Sequence, residues 1–104
     1  MENKRLAQLL EFCEEDPADP FLKYGIAQEY ISMGEWNLAR DWFRRTFEEH
    51  PTYLPTYYHY GKLLFMLGQE DASIDLLHTG AEKARAAGEN KTMREIMELL
   101  DDIE

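Results

Sequence analysis

The chain has 104 residues, 44% of them hydrophobic and 12% aromatic, with 21 acidic and 11 basic side chains and a net charge of -10. That length supports one modest core and excludes a two-domain enzyme, and the apolar content excludes a chain that stays disordered. The acidic surplus speaks against nucleic acid, whose phosphates need a basic face, and against docking on an anionic membrane.

The single cysteine, Cys13, rules out an internal disulfide framework and a cysteine zinc site. The opening residues Met1-Glu2-Asn3-Lys4-Arg5 are polar, and no signal-like apolar stretch follows them. The longest apolar run, Leu63-Leu64-Phe65-Met66-Leu67, is far too short to span a bilayer. A soluble, reduced, cytoplasmic chain is therefore expected.

In chain order, Leu6, Leu9, Leu10 and Cys13 form one apolar stripe, so residues 1–17 should hold a helix that ends by Pro17. Asp19-Pro20 starts the next: Asp caps, and Pro takes the first helical position, where its missing N–H costs nothing. Leu22, Ile26 and Tyr30 follow along one face, and Gly34 suits the left-handed residue that closes the helix. A third helix spans about 35–50, with Trp36, Ala39, Phe43 and Phe47 inward, and Pro51 stops it. A fourth runs from Pro55 to Leu67 with Tyr57, Tyr60, Leu64 and Leu67 inward. A fifth runs over about 70–87 on Ile74, Leu77, Ala81 and Ala84, and Gly88 ends it. Asn90 or Thr92 should cap a last helix lined by Met93, Ile96, Met97, Leu100 and Ile103. No segment alternates as a strand does. The ends carry most of the negative charge, -3 over residues 1–17 and -4 over 89–104, as fits terminal helices with a solvated outer face.

A period of 34 residues runs through the middle of the chain. It carries Gly34 onto Gly68, Tyr24 onto Tyr58, Ala27 onto Gly61, Ala39 onto Ser73, Phe43 onto Leu77 and Thr46 onto Gly80, so small falls on small and bulky mostly on bulky. Helices that cross closely need small residues at the contact, which Ala27, Ala39, Gly61, Ser73 and Gly80 supply.

Helix pairs of this period resemble tetratricopeptide repeats. The likeness is carried by Ala27, Tyr30, Gly34, Trp36, Ala39, Phe43 and Pro51 in the first repeat, and by Tyr57, Gly61, Leu64, Gly68, Ser73, Leu77 and Gly80 in the second. The resemblance covers residues 20–88, about two thirds of the chain, and extends to small two-repeat proteins of bacteria. It implies an all-α fold: a right-handed superhelical stack of antiparallel helix pairs, with repeats at 20–51 and 54–88 between an N-terminal helix and a C-terminal capping helix at 90–104. The chain departs from the pattern at Lys23, where a large apolar residue is usual, at Glu70, opposite Trp36, and at Arg85, in place of the terminal proline.

The resemblance further implies a concave groove lined by the first helix of each pair. Its candidate binding residues are Phe21, Tyr24, Gln28, Ile31, Tyr58, Lys62, Phe65 and Met66. Tyr24, Ile31, Tyr58 and Phe65 are expected to be exposed, because the core stripes do not need them. Aromatic and methionine side chains anchor such sites, so a peptide or helix of a protein partner is the expected ligand. Repeats that hold acidic chaperone tails use several cations, whereas Lys62 is the one cation among these positions. Self-assembly, as a homodimer or as a subunit of a larger complex, is the alternative.

No cofactor, metal or enzymatic role is expected. His50, His59 and His78 have no histidine partner at helical spacing, Cys13 falls on a core stripe, and there is no phosphate loop or nucleophile elbow. Arg40, Arg44 and Arg45 are read as forming ion pairs within their own helix, with Asp41, Glu48 and Glu49.

Overall fold

Apolar residues that recur every three or four positions make each segment between turns helical. The computed structural model describes residues 3–104, so the first two residues of the N-terminal segment lie outside the described residues. Among those residues there are six helices: α1 (Lys4–Glu15), α2 (Pro20–Ser32), α3 (Trp36–Glu49), α4 (Pro55–Met66), α5 (Glu70–Ala86) and α6 (Asn90–Ile103). They fall into two units that divide between His50 and Pro51.

In the first unit, the Asn3 side chain caps α1 by accepting from the Leu6 N–H at 2.9 Å. Leu6, Leu9 and Cys13 are buried against Ile26 of α2, with Leu10, Leu22, Tyr30 and Trp42 packed around them. Glu29 of α2 accepts from Asn3 at 3.1 Å and from Arg5 at 3.0 Å, which ties the start of α1 to α2. Asp19 opens α2 as expected, accepting from the Phe21 N–H at 2.9 Å.

The joint between α2 and α3 is economical. Gly34 takes φ +74°, which a side chain would resist. The Glu35 N–H then donates back to Tyr30 O at 2.9 Å and closes α2, while Glu35 O accepts from Ala39 N at 3.0 Å and opens α3. Ala39 and Phe43 are fully buried and Phe47 is half-buried. Trp36 is exposed, against expectation. It is the first residue of α3, and helical side chains lean toward the N-terminus, which carries a first-turn residue away from the stripe of Ala39 and Phe43.

The second unit repeats this logic. Gly68 has φ +82°, and Gln69 closes α4 on Leu64 O at 2.9 Å while opening α5 through Ser73 N at 3.0 Å. Tyr57, Tyr60 and Leu64 are buried as expected, together with Leu63, and Leu67 is half-buried. α4 and α5 approach so closely that a Cβ on Gly61 would lie 2.5 Å from Leu77 Cδ2, and one on Gly80 2.5 Å from Tyr57 Cβ. The contact is polar as well: Ser73 donates from Oγ to Gly61 O at 2.6 Å.

The start of α6 corrects the sequence reading. Glu89 is the cap residue, and Asn90 and Thr92 lie inside the helix. Glu89 N–H closes α5 on Ala84 O at 2.9 Å and its carbonyl accepts from Met93 N at 3.0 Å, so the preceding helix fixes where the next begins. α6 packs on α5 and on α4, burying Ile96 and Leu100. Met97, expected on the inward stripe of this helix, is exposed, because burial of Ile96 and Leu100 turns it toward solvent. From that exposed flank we infer that α6 is a cap. Deleting residues 90–104 should bare the α5 flank around Ala81 and Ala84 and cause melting or aggregation. A shortened chain with an unchanged melting temperature would remove the cap assignment.

Candidate partner-binding faces

In the first unit, Phe21, Tyr24, Gln28 and Ile31 follow one another at helical spacing along α2. Phe21 is 50% exposed. Tyr24 and Ile31 are half-buried, which corrects the expectation that both stand free. The Tyr24 ring tilts against Phe43 of α3, centroid to centroid 6.2 Å, because the helix pair is close enough for a long ring to reach across. Gln28 donates from Nε2 to Tyr24 Oη at 3.2 Å, so this amide orients the tyrosine. Burial raises the Tyr24 hydroxyl pKa above its ordinary value, and the bond from Gln28 opposes that rise.

In the second unit, Tyr58, Lys62 and Phe65 form the corresponding stripe on α4, with Met66 beside them. Phe65 and Met66 are 39% and 46% exposed, and Lys62 is exposed. Tyr58 is half-buried, again against expectation, with its ring edge-on to His59 at 5.0 Å.

His59 is the residue here that the sequence undervalued. Burial pushes its pKa below 6.5; the Lys62 cation adds to the drop, and Glu95 of α6 opposes it. The imidazole thus binds a proton less readily in the folded chain than in the unfolded one. Below about pH 6.5 the unfolded chain takes up the extra proton, so this group's contribution to stability is present at neutral pH and fades as pH falls. Melting temperatures from pH 7.5 down to 5.5 should therefore drop less for His59→Gln than for the parent. Equal slopes would remove His59 as the titrating group. No sequence signal linked His59 to Glu95, because the two lie on different helices.

The arginine reading holds for two of its three residues: Arg44 pairs with Asp41 at 3.7 Å and Arg45 with Glu49 at 4.0 Å. Arg45 also lies 4.1 Å over the Trp42 ring. His78 meets Glu104 at 2.7 Å on the surface. Phe12, Met33 and Leu38 are exposed apolar residues that the site reading did not include. Among the described residues, no group of three His, Cys, Asp or Glu side chains is placed to hold a metal ion, and no helix is long and apolar enough to cross a membrane.

No family model and no curated protein matches the chain. Solved structures do. A tetratricopeptide repeat domain protein from Salinibacter ruber, solved by NMR, is 37% identical over 86% of this chain and 90% of its own, with a TM-score of 0.80. This chain belongs to the tetratricopeptide repeat family. The TPR2B domain of yeast Sti1, solved in complex with pHsp70, matches with a TM-score of 0.87 over 94% of this chain and 78% of its own, at 14% identity. PcrH, solved with the chaperone-binding region of PopD, gives 0.84 over 94% and 74%, also at 14%. At that identity the last two show the fold alone. As a tetratricopeptide repeat protein, the chain has the all-α helical-repeat fold that its 34-residue period implies.

Proposed function

We propose that this tetratricopeptide repeat protein is a protein-binding module for a peptide segment or helix of a partner, with candidate contacts on α2 in the first unit and on α4 in the second. Phe21, Phe65 and Met66 are the anchors. Tyr24 and Ile31 are half-buried beside Phe21 in the first unit, as Tyr58 is in the second, and Gln28 and Lys62 set orientation. The carrying observation is the exposure of Phe21, Phe65 and Met66 on those two helices. Large apolar side chains left in water on an otherwise charged chain mark an interaction site, and aromatic and methionine residues are enriched in such sites. Sti1 TPR2B, solved in complex with pHsp70, and PcrH, solved with the chaperone-binding region of PopD, are of like fold, which supports the reading.

Tyr24 makes a poor test, because its loss would also disturb Phe43. Phe21→Glu with Phe65→Glu is the better variant. Capture from a lysate of the source organism should yield a partner on the parent chain and lose it on the variant. Truncating an anchor of this kind costs about 2 kcal/mol or more, roughly 30-fold in affinity. Identical captures from both chains would move the site off these faces.

A further inference from the structure

A further feature of the first unit lies on another side of α2 from Phe21, Tyr24 and Gln28. A cavity of about 490 Å³ is lined by Leu10, Cys13, Pro17 and Trp42, with Glu14, Lys23, Arg45 and Glu49 as its charged members. That volume lies within the range of small-molecule pockets. Lys23 is 1% exposed, whereas Glu14, Arg45 and Glu49 are all exposed. The buried charge at the site is therefore positive.

That charge is incompletely met. An ammonium carries three donors. Among the described residues, Lys23 Nζ has one hydrogen-bond acceptor, the Pro17 carbonyl. Glu49 Oε1 stands 3.6 Å away, beyond a normal hydrogen bond. The same Glu49 carboxylate lies 4.0 Å from Arg45 Nε, while the guanidinium is held over Trp42. Two cations thus share one loosely held, solvated carboxylate at the edge of an apolar cavity.

We propose that this cavity binds a small organic acid, a carboxylate carried on an apolar body. The carboxylate displaces Glu49 into solvent and accepts from Lys23 Nζ and the Arg45 guanidinium. The body rests on Leu10, Cys13, Pro17 and Trp42. The site is independent of the α2 and α4 faces: Lys23 projects from α2 on the side away from Phe21, Tyr24 and Gln28.

The test is an NMR titration of the ¹⁵N-labelled full chain with 3-phenylpropionate, and in parallel with the neutral 3-phenylpropanol. The acid should shift the amides of Leu10, Cys13 and Trp42 with a Kd on the order of 1 mM, as suits a ligand of this size. The alcohol should bind about tenfold more weakly, since charge-assisted hydrogen bonds are the stronger ones. Glu49→Gln removes the internal competitor and should tighten acid binding by about threefold to tenfold, while Arg45→Gln should weaken it about tenfold. Both residues are exposed, so neither change threatens the fold, and Lys23→Met should abolish the preference for acid over alcohol. The proposal is overturned by an absence of shifts at about 20 mM acid, by equal binding of the alcohol, by shifts confined to the α2 and α4 faces, or by Glu49→Gln weakening the interaction.

Discussion

Gly80→Val is expected to lower the melting temperature by about 15 °C. A Cβ at Gly80 would sit 2.5 Å from Tyr57 Cβ, 2.8 Å from its Cγ and 3.1 Å from its Cδ1. Tyr57 is fully buried and its hydroxyl donates to Pro51 O at 2.5 Å. The first atom met is the tyrosine's own Cβ, which no rotamer change can move, so the two helix axes must separate. Overpacking of this kind costs about 1–3 kcal/mol, and a branched side chain belongs at the upper end. Removing a glycine from a helix interior returns at most about 1 kcal/mol, and less for valine than for alanine. The balance is a loss of about 2–3 kcal/mol, at about 4–8 °C per kcal/mol for a domain of this size. Gly61→Ala is the control. Its Cβ would meet Leu77 Cδ2 and Cγ, atoms that a χ1 change can shift although Leu77 is buried, so its loss should be smaller. Circular-dichroism melts of the two variants decide the matter. A Gly80→Val chain that melts within about 2 °C of the parent would mean that α4 and α5 are not in close contact at Gly80.

The same glycine shows why most of the fold was legible in the sequence. Gly61, Gly80, Ala27 and Ala39 are small because a neighbouring helix passes over them, and a contact of that kind repeats with the repeat. Gly34 and Gly68 lie 34 residues apart because the same two-residue joint is built twice. Such features are local, or periodic, and so leave a trace along one chain. The capping of α6 left no trace of its own, since Glu89 caps through its backbone and closure of α5 determines its place. Trp36 differs for a related reason: helical spacing puts it on the stripe with Ala39, Phe43 and Phe47, but a first-turn side chain leans away from that stripe.

The candidate faces were half legible. Spacing identified which residues share a side of α2 and of α4, and Phe21, Phe65 and Met66 do stand in solvent. Depth was not legible, because whether Tyr24 or Tyr58 lies flat or stands free depends on which atoms of another helix or neighbouring ring come near. Interactions across helices, such as the influence of the Glu95 charge on His59 and the contact of His78 with Glu104, have no signature within either helix.

Lys23→Tyr is expected to raise the melting temperature by about 5–15 °C. Lys23 and Tyr57 are 34 residues apart and occupy the same place in their repeats. Each sends its polar tip to the carbonyl of the residue six positions earlier, Lys23 Nζ to Pro17 and Tyr57 Oη to Pro51. The lysine therefore performs the tyrosine's hydrogen bond with an aliphatic stem and a buried charge. Replacing a buried ion by a well-packed apolar group is commonly neutral or stabilising by about 1–4 kcal/mol. Here the partner left behind, Glu49, is exposed and solvated, so little is lost from its side. The adjoining cavity gives the ring room. A gain of about 1–2 kcal/mol follows, which at about 4–8 °C per kcal/mol gives the stated rise. The same substitution removes the buried cation and fills the pocket, so acid binding should vanish as stability rises. Opposite signs for the two readouts are what a residue retained for a site, at the expense of packing, should give. A fall in melting temperature would show instead that Lys23 stabilises its unit, and the cavity beside it would then be a by-product of that choice.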